Sequence, residues 1–422
     1  MSGAGAGAMA GAGVGAEASD VDGLVRSIRS FIADVVLPVE DAHDGDLAAA
    51  GGDGLRRELQ QAARAAGVFA PHAPAEFGGL ALGMRDRNRP FQAAGYALFG
   101  PTALNIHAPD EGNVHLLDRV ATPEQRERYL APLARGDVRS AFAMTEPHPG
   151  AGADPRALAT RAERVAGGWR ITGRKTFITG ADGAAFLIVM ARTSGEPGDA
   201  GGATLFLTPA DAAGIEIGRH LPTIDRSMLG GHCDVAFDDL FVPDDGVLGE
   251  VDGGMDAIQV RLGPARMTHA MRWLGAAMRA HDVAVEQIAE RRLFGQRLGD
   301  LGLAQQLIAE NELDLASSQG LIERACTDLD TGADASLSTS LAKVHVAEAV
   351  GRIVDRSMQL CGGRGMSRDL PLARLQAEVR PFRIYDGPSE THRWAVAKRV
   401  LRASAGGVAP SARLLGVAGA DR

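Results

Sequence analysis

The chain has 422 residues, of which 45% are hydrophobic and 23% charged. This composition is typical of globular proteins, and the length predicts two or three packed subdomains. The formal net charge of −9 argues against nucleic acid as the main partner, because phosphate binding depends on Lys and Arg. Three cysteines without a C-x-x-C pair (Cys233, Cys326 and Cys361) argue against a disulfide framework and a zinc site, and favour a reducing cytoplasm.

The first third of the chain divides into a tail and a helical domain. Residues 1–19 are almost all Gly and Ala, unlike a signal or transit peptide, and we interpret them as a disordered tail. Residues 20–139 predict an N-terminal helical domain. Apolar side chains recur at helical spacing from Val25 to Val35, Pro38 is expected to end that helix, and Thr122-Pro123-Glu124-Gln125 is typical of a helix start.

Residues 140–252 change character, because short β-type runs there are separated by Gly, Asp and Pro. We expect a small antiparallel β domain or barrel, with a bulge or turn where the last strand loses its alternation at Asp238-Asp239. The predicted strands are Trp169 to Thr179, Ala184 to Arg192, Ala203 to Leu207 and Cys233 to Val242.

Residues 253–402 return to helix. A helix is predicted from about Ser336 to Cys361, stopping at Gly362-Gly363. A seven-residue stripe favours a C-terminal four-helix bundle, followed by a flexible tail over residues 403–422. The stripe consists of Leu301, Ile308, Leu315, Ile322 and Leu329. The fold class is therefore α+β, without the strand–helix alternation of a dinucleotide-binding sheet, and no apolar run is long enough for a membrane span.

Two segments of the β domain suit the binding of a flat heteroaromatic ring. The strand end Phe142-Ala143-Met144-Thr145-Glu146-Pro147, followed by Gly150 to Asp154, offers backbone donors and a hydroxyl. In the strand from Gly173 to Gly180, alternation places Phe177 and Thr179 on one face, so that an aromatic side chain lies beside a hydroxyl. A strand end with a Gly turn and an ordinary amphipathic strand are the simpler interpretations.

Three segments of the helical domain are also candidates. Arg291 and Phe294 follow a helix end, where Arg291 could pair with a pyrophosphate or only complement the helix dipole. The glycines from Gln359 to Gly365 permit close backbone approach to a phosphate or simply stop a helix. Asp386, in Tyr385-Asp386-Gly387-Pro388, could project a carboxylate into a cleft or cap the next helix.

The combination and order of these segments, from about residue 20 to 402, resemble the acyl-CoA dehydrogenase superfamily. Pro74 to Gly79 and Val242 to Asp245 match it as well. Within the superfamily the chain is most similar to the branch that carries Asn105 to Asn113, Arg261 to Arg266 and Asp386-Gly387-Pro388.

The resemblance implies that FAD lies between the β domain and the C-terminal bundle. Positions that contact the isoalloxazine are matched by Phe142, Met144 and Thr145, and those that cover the ring and approach flavin N5 by Phe177 and Thr179. Positions that reach the flavin of a neighbouring subunit are matched by Arg291, Phe294, Gln359 and Gly363. The last group implies a homodimer or homotetramer.

The resemblance also implies that Asp386 is the catalytic base and that Arg266 lies near the reactive centre. Ala153, Tyr385 and Gly387 are the implied substrate contacts. Some relatives carry the base one position before Arg266, but Ala265 cannot act as one. The sequence departs from the common pattern at several positions: Asp386 for Glu, Phe177 for Trp, Ala153 for Ser after an inserted His148-Pro149, and Pro388 and Glu390 beside the base.

The implied reaction is dehydrogenation of an acyl-CoA to the trans-2-enoyl-CoA, with Asp386 taking the α-proton and flavin N5 the hydride. Burial against flavin and substrate is expected to raise the Asp386 pKa, and an electron-transferring flavoprotein would accept the electrons. A flavin oxidase or monooxygenase on the same frame is one alternative, although the monooxygenases do not need the carboxylate. A flavin-containing nucleic-acid-binding protein is another, favoured only by the C-terminal arginines.

Overall fold

The computed structural model describes residues 20–414. The predicted tail 1–19 and the end of the predicted tail 403–422 lie outside the described residues. The N-terminal part is helical. Its helices are α1 (Val21–Phe31), α2 (Leu37–Ala42), α3 (Asp53–Ala65), α4 (Met84–Gly95), α5 (Gly100–Ala103), α6 (Asp110–Val120), α7 (Pro123–Gln125) and α8 (Ala131–Ala134).

The prediction that Pro38 ends the first helix is wrong. α1 continues through a π-helical turn, Ile32–Val36, directly into α2, where Pro38 lies in the first turn. The π turn interrupts the regular hydrogen bonds of the helix backbone. Pro38 therefore lies in the first turn of α2, where backbone N–H groups have no intrahelical acceptor and a missing N–H is tolerated. The predicted helix start at Thr122 is confirmed, because Thr122 and Gln125 form a reciprocal capping box.

The β domain is one mixed sheet of eight strands in the order β6-β7-β3-β2-β4-β5-β8, with β1 paired to β4. Because β1 and β2 both run parallel to β4, the expectation of an antiparallel domain is wrong for these two pairs. The strands are β1 (Ser140–Ala143), β2 (Arg161–Val165), β3 (Gly168–Thr179), β4 (Phe186–Arg192), β5 (Ala203–Pro209), β6 (Ile215–His220), β7 (His232–Pro243) and β8 (Val247–Leu248).

The predicted irregularity near Asp238-Asp239 is confirmed. The register of β3 and β7 shifts between the pairs Ile171–Leu240 and Gly173–Phe237, and Asp239 has a positive φ of 53°, as a bulge requires.

The C-terminal part returns to helix. After α9 (Gly254–Glu290), a small hairpin of β9 (Arg292–Leu293) and β10 (Gln296–Arg297) leads into the remaining helices. These are α10 (Gly302–Asp330), α11 (Ser336–Cys361), α12 (Leu372–Val379), α13 (Ser389–Ala405) and α14 (Pro410–Leu414). α11 packs on α9, α10 and α13, and α4 packs on α9. The predicted end of α11 is confirmed, because Gly362 caps it with φ 59°.

α10 has buried residues at seven-residue spacing, but the most buried of them are not those of the predicted stripe. Of the predicted stripe only Ile322 is fully buried, and its other members are partly buried against the core. The buried positions lie three residues further on: Ala304, Asn311, Ser318 and Ala325. Small side chains let neighbouring helices approach closely, and Asn311 donates to His281 Nδ1 at 3.2 Å.

Within residues 20–414, no helix is both long and apolar enough to cross a membrane. The same part of the chain contains no cluster of three His, Cys, Asp or Glu side chains suited to a metal ion.

Candidate active site

Asp386 lies in the turn between α12 and α13. Its backbone adopts a left-handed conformation with φ 54°, which Asp tolerates better than most residues. The residue does not cap α13, since the N-cap position is Pro388 and no side-chain cap bond forms there. The interpretation of Asp386 as a helix cap is therefore wrong.

Two side chains from different helices hold the backbone carbonyl of Asp386. Arg266 of α9 donates from Nε at 3.1 Å, and His392 of α13 lies with Nε2 at 3.0 Å. Burial holds the pKa of His392 at about 4, so its ring is neutral near neutral pH. A carbonyl can only accept, so Nε2 carries the ring proton and Nδ1 accepts from Ser340 Oγ at 3.1 Å.

A third side chain closes the turn from α11. The Lys343 ammonium is fully buried and donates to the carbonyls of Phe382 and Gly387 at 2.8 and 2.7 Å. Gly387 is required here, because its φ is 91° and a Cβ would lie 2.7 Å from His392 Nε2. The hydrogen bonds that hold the turn are made to its backbone carbonyls. Holding the turn therefore does not use the Asp386 carboxylate.

The Asp386 carboxylate is only 16% exposed, and its Oδ2 atom is buried without a hydrogen-bond partner. Burial alone would raise its pKa. The net pKa nevertheless lies below the ordinary value, because basic side chains outweigh burial: His269, Arg261, Arg266 and Lys343. Burial also holds the pKa of the His269 imidazole at about 3, so near neutral pH the charges that act are those of the arginines and the lysine.

A small cleft of about 30 Å³ lies next to His269, the side chain that faces this carboxylate. His269 forms part of its wall, together with Gly95, Leu98, Thr102, Met228 and Trp273. Tyr385 contacts the same region, since its hydroxyl accepts from Trp273 Nε1 and its ring centre lies 4.7 Å from that of His269. Of the predicted substrate contacts, Tyr385 packs on the wall residues His269 and Trp273, and Gly387 lies in the same turn as Tyr385. Ala153 is exposed on the loop after β1, and no hydrogen bond within residues 20–414 joins it to the Asp386 turn.

The predicted ring-binding residues lie at the ends of two strands. Phe142, Met144 and Thr145 are partly buried around the end of β1. The predicted alternation of Phe177 and Thr179 is interrupted, because Phe177 has a φ of 55° and the register of β3 with β7 shifts between Lys175 and Ile178. Phe177 is 56% exposed, Ile178 is buried and Thr179 is partly buried. An open aromatic face beside a hydroxyl and a strand end fits a flat ring system such as a flavin.

Arg261 links this strand end to the Asp386 side of the site. Its guanidinium carbon lies 4.2 Å from the centre of the Phe142 ring and its Nε donates to Asn113 at 2.9 Å. Asn113 in turn donates to Ser140 Oγ at 2.8 Å, and Asp110 accepts from the Ser140 backbone at 2.8 Å. The segment Asn105 to Asn113 thereby fastens α6 to β1 and α9.

A hydrogen-bonded chain behind Thr179 was not predicted. Thr179 Oγ1 lies 2.9 Å from His232 Nδ1, and His232 Nε2 lies 2.8 Å from Asp225 Oδ2. Thr179 and His232 face each other across β3 and β7, while Asp225 lies on the loop before β7. The sequence carries no signal for this chain, because it depends on strand register and loop path.

The remaining predicted flavin residues form a separate group at the far end of α9. Arg291 donates to the Cys361 carbonyl at 3.2 Å, and Gln359 and Gly363 are exposed beside it. Phe294 is 92% exposed. About 37 Å of helix separates Arg291 from Arg266, so within one chain this group lies far from the Asp386 turn.

Comparison with known proteins matches three consecutive family models. They are the N-terminal domain of acyl-CoA dehydrogenase over residues 19–137, the middle domain over 141–240 and the C-terminal domain over 252–401.

Individual relatives agree with this assignment. The chain is 36% identical to the probable acyl-CoA dehydrogenase FadE2 of Mycobacterium tuberculosis, over 71% of this chain and 75% of the relative. It is 31% identical to a 3-(aryl)acrylate reductase of Clostridium sporogenes, over 90% and 98%. It is also 31% identical to acyl-CoA dehydrogenase family member 11 of Mus musculus, over 89% of this chain but only 49% of that longer protein.

Solved structures share the fold. A Mycobacterium abscessus protein assigned to the acyl-CoA dehydrogenases superposes with a TM-score of 0.84 at 34% identity, over 92% of this chain and 99% of the other. Butyryl-CoA dehydrogenase of Megasphaera elsdenii superposes with a TM-score of 0.80 at 22% identity, over 92% and 100%. The chain belongs to the acyl-CoA dehydrogenase family.

Proposed function

We propose that the protein oxidises an acyl-CoA thioester to the trans-2-enoyl-CoA with FAD as cofactor and Asp386 as the base that removes the α-proton. The observation that carries the proposal is a buried carboxylate, beside a cleft, in a turn whose backbone is fixed by Arg266, His392 and Lys343. A base held in this way is positioned before substrate arrives, as proton abstraction requires.

The residues present fit FAD. Phe177 would cover a face of the isoalloxazine, the Thr179 hydroxyl would approach its N5 edge, and Phe142, Met144 and Thr145 would line the other side. Bound FAD would supply the hydride acceptor. The side chains of the protein would bind and orient the flavin and the thioester. The thioester would lie between the ring that Phe177 covers and the Asp386 carboxylate.

The lowered pKa of Asp386 determines its protonation state and its strength as a base. Burial raises the pKa of this carboxyl, but the basic side chains around it lower the net value, so the side chain is ionised near neutral pH and ready to accept a proton. A carboxylate of low pKa is a weak base, and the transfer therefore needs stabilisation of the negative charge that develops on the thioester oxygen. Arg266 and Arg261 add a positive field on this side of the cleft.

The proposal predicts that the purified protein is yellow and releases FAD on denaturation. An acyl-CoA that fits the cleft should bleach the flavin absorbance under anaerobic conditions, and an electron-transferring flavoprotein should restore it. A panel of acyl-CoAs of increasing length and branching tests this by absorbance spectroscopy. A colourless protein that cannot be reconstituted with FAD would refute the cofactor.

We also propose a homodimer or homotetramer in which the group around Arg291 completes a partner's flavin site. The far position of this group along α9 and the 92% exposure of Phe294 support the proposal. Light scattering should give two or four subunits, and Phe294→Ser should weaken FAD retention. Phe241→Ser, an exposed Phe on β7, serves as the matched control. A fully flavinylated, active monomer would contradict the proposal.

A further inference from the structure

His269 is the side chain that faces the buried oxygen of Asp386. It lies on α9, one turn after Arg266, and is buried. Its Nε2 lies 3.4 Å from Asp386 Oδ2, and the rings of Tyr385 and Phe382 lie 4.7 and 6.0 Å away. Oδ2 has no hydrogen-bond partner at this separation, which is longer than an ordinary N–H···O bond.

Arg272 determines which nitrogen of His269 carries the proton. One arm of its guanidinium donates to His269 Nδ1 at 3.0 Å, and the other donates to the Ile106 carbonyl at 2.7 Å. A guanidinium has donors only, so Nδ1 must accept. Since burial and Arg272 keep the ring neutral near neutral pH, its single proton lies on Nε2, the ring nitrogen 3.4 Å from Asp386 Oδ2.

Resting on the function proposed above, we propose that His269 is a positioning residue that donates from Nε2 to Asp386 Oδ2 and leaves Oδ1 as the atom that takes the substrate proton. His269 is not a second base, because its Nε2 already carries a proton and its Nδ1 is occupied by Arg272. The proton therefore stays on Asp386 Oδ1 until it is lost to solvent.

The donor acts alongside fixed charges. The charged or titratable side chains around this pair are Arg261, Arg266 and Arg272 of α9, Lys343 of α11, Tyr385 of the turn and His392 of α13. These side chains remain when His269 is replaced, so its removal changes the Asp386 titration only in part. Loss of a donor to a carboxylate destabilises the ionised form, so the Asp386 pKa should rise.

The test replaces His269 by Phe, which keeps a ring but removes the donor, and by Gln, whose amide restores one. In the holoenzyme without substrate, the carboxyl band of Asp386 is followed against pH by infrared difference spectroscopy, with Asp386→Asn as the subtraction. We expect His269→Phe to raise the pKa of Asp386 by about one unit. The acid limb of anaerobic flavin reduction should move to higher pH with it, and His269→Gln should restore much of the wild-type profile.

An unchanged Asp386 titration in His269→Phe would overturn the inference. A second measurement needs no variant: nitrogen NMR of wild-type His269 should show a proton on Nε2 and a bare Nδ1 near neutral pH, and the opposite tautomer or an imidazolium would also overturn it. A different result would refute the proposed function. If Asp386→Asn reduces flavin at the wild-type rate, the base assignment is wrong, whereas a slow Asp386→Asn with an unaltered His269→Phe profile rejects only the role of His269.

Discussion

Replacement of Asp386 by Asn should slow flavin reduction by about 10²- to 10⁴-fold, the usual contribution of a positioned base. The turn should keep its conformation, because Arg266 and His392 hold the backbone carbonyl and Lys343 holds that of Gly387. FAD and thioester should therefore still bind. Stopped-flow absorbance with the best acyl-CoA from the panel measures the rate.

The matched control is Asp386→Glu, which keeps the carboxylate and adds one methylene. If the shorter side chain suits a particular substrate pose, this variant should shift the acyl preference or slow the reaction without abolishing it. Wild-type reduction rates in Asp386→Asn would contradict the assignment and place the base elsewhere.

Replacement of Lys343 by Met should have the largest effect on stability. Lys343 is fully buried and donates to two carbonyls, so Met would leave both carbonyls without a partner at about 1–3 kcal/mol each. We expect the free energy of unfolding to fall by about 2–5 kcal/mol. The loosened turn should also slow flavin reduction, because Asp386 would no longer be held toward the cleft.

Urea unfolding followed by fluorescence measures this loss. Lys398→Met, the same substitution at an exposed position of α13, should change stability by less than about 0.5 kcal/mol. Equal unfolding midpoints for Lys343→Met and wild type would show that the two carbonyls find other donors and that Lys343 does not hold the turn.

The local features of this fold could be predicted from sequence. The stop of α11 at Gly362 follows from glycine at a helix end, whereas the bulge at Phe177 interrupts the alternation that is predicted for Phe177 and Thr179. The continuation past Pro38 could not be predicted, because a π turn depends on how the helix packs rather than on the proline itself.

The surroundings of Asp386 depend on residues far apart in the chain. Arg261, His269 and Arg272 come from one helix, Lys343 from a second and His392 from a third, and no local pattern brings them together. The predicted rise of the Asp386 pKa considers only burial against flavin and substrate. Burial could be expected from the motif, whereas the cations that outweigh it become apparent only when α9 and α11 pack on the turn.

The most direct test of the central claim is the product of a single anaerobic turnover. The holoenzyme is mixed with the acyl-CoA that bleaches its flavin, and the thioester is identified by mass spectrometry. The account predicts an enoyl-CoA lighter than the substrate by two hydrogen atoms, formed in proportion to the flavin bleached and nearly absent with Asp386→Asn. An unchanged thioester across the whole panel, or a product that forms only with oxygen and carries an added oxygen atom, would contradict it.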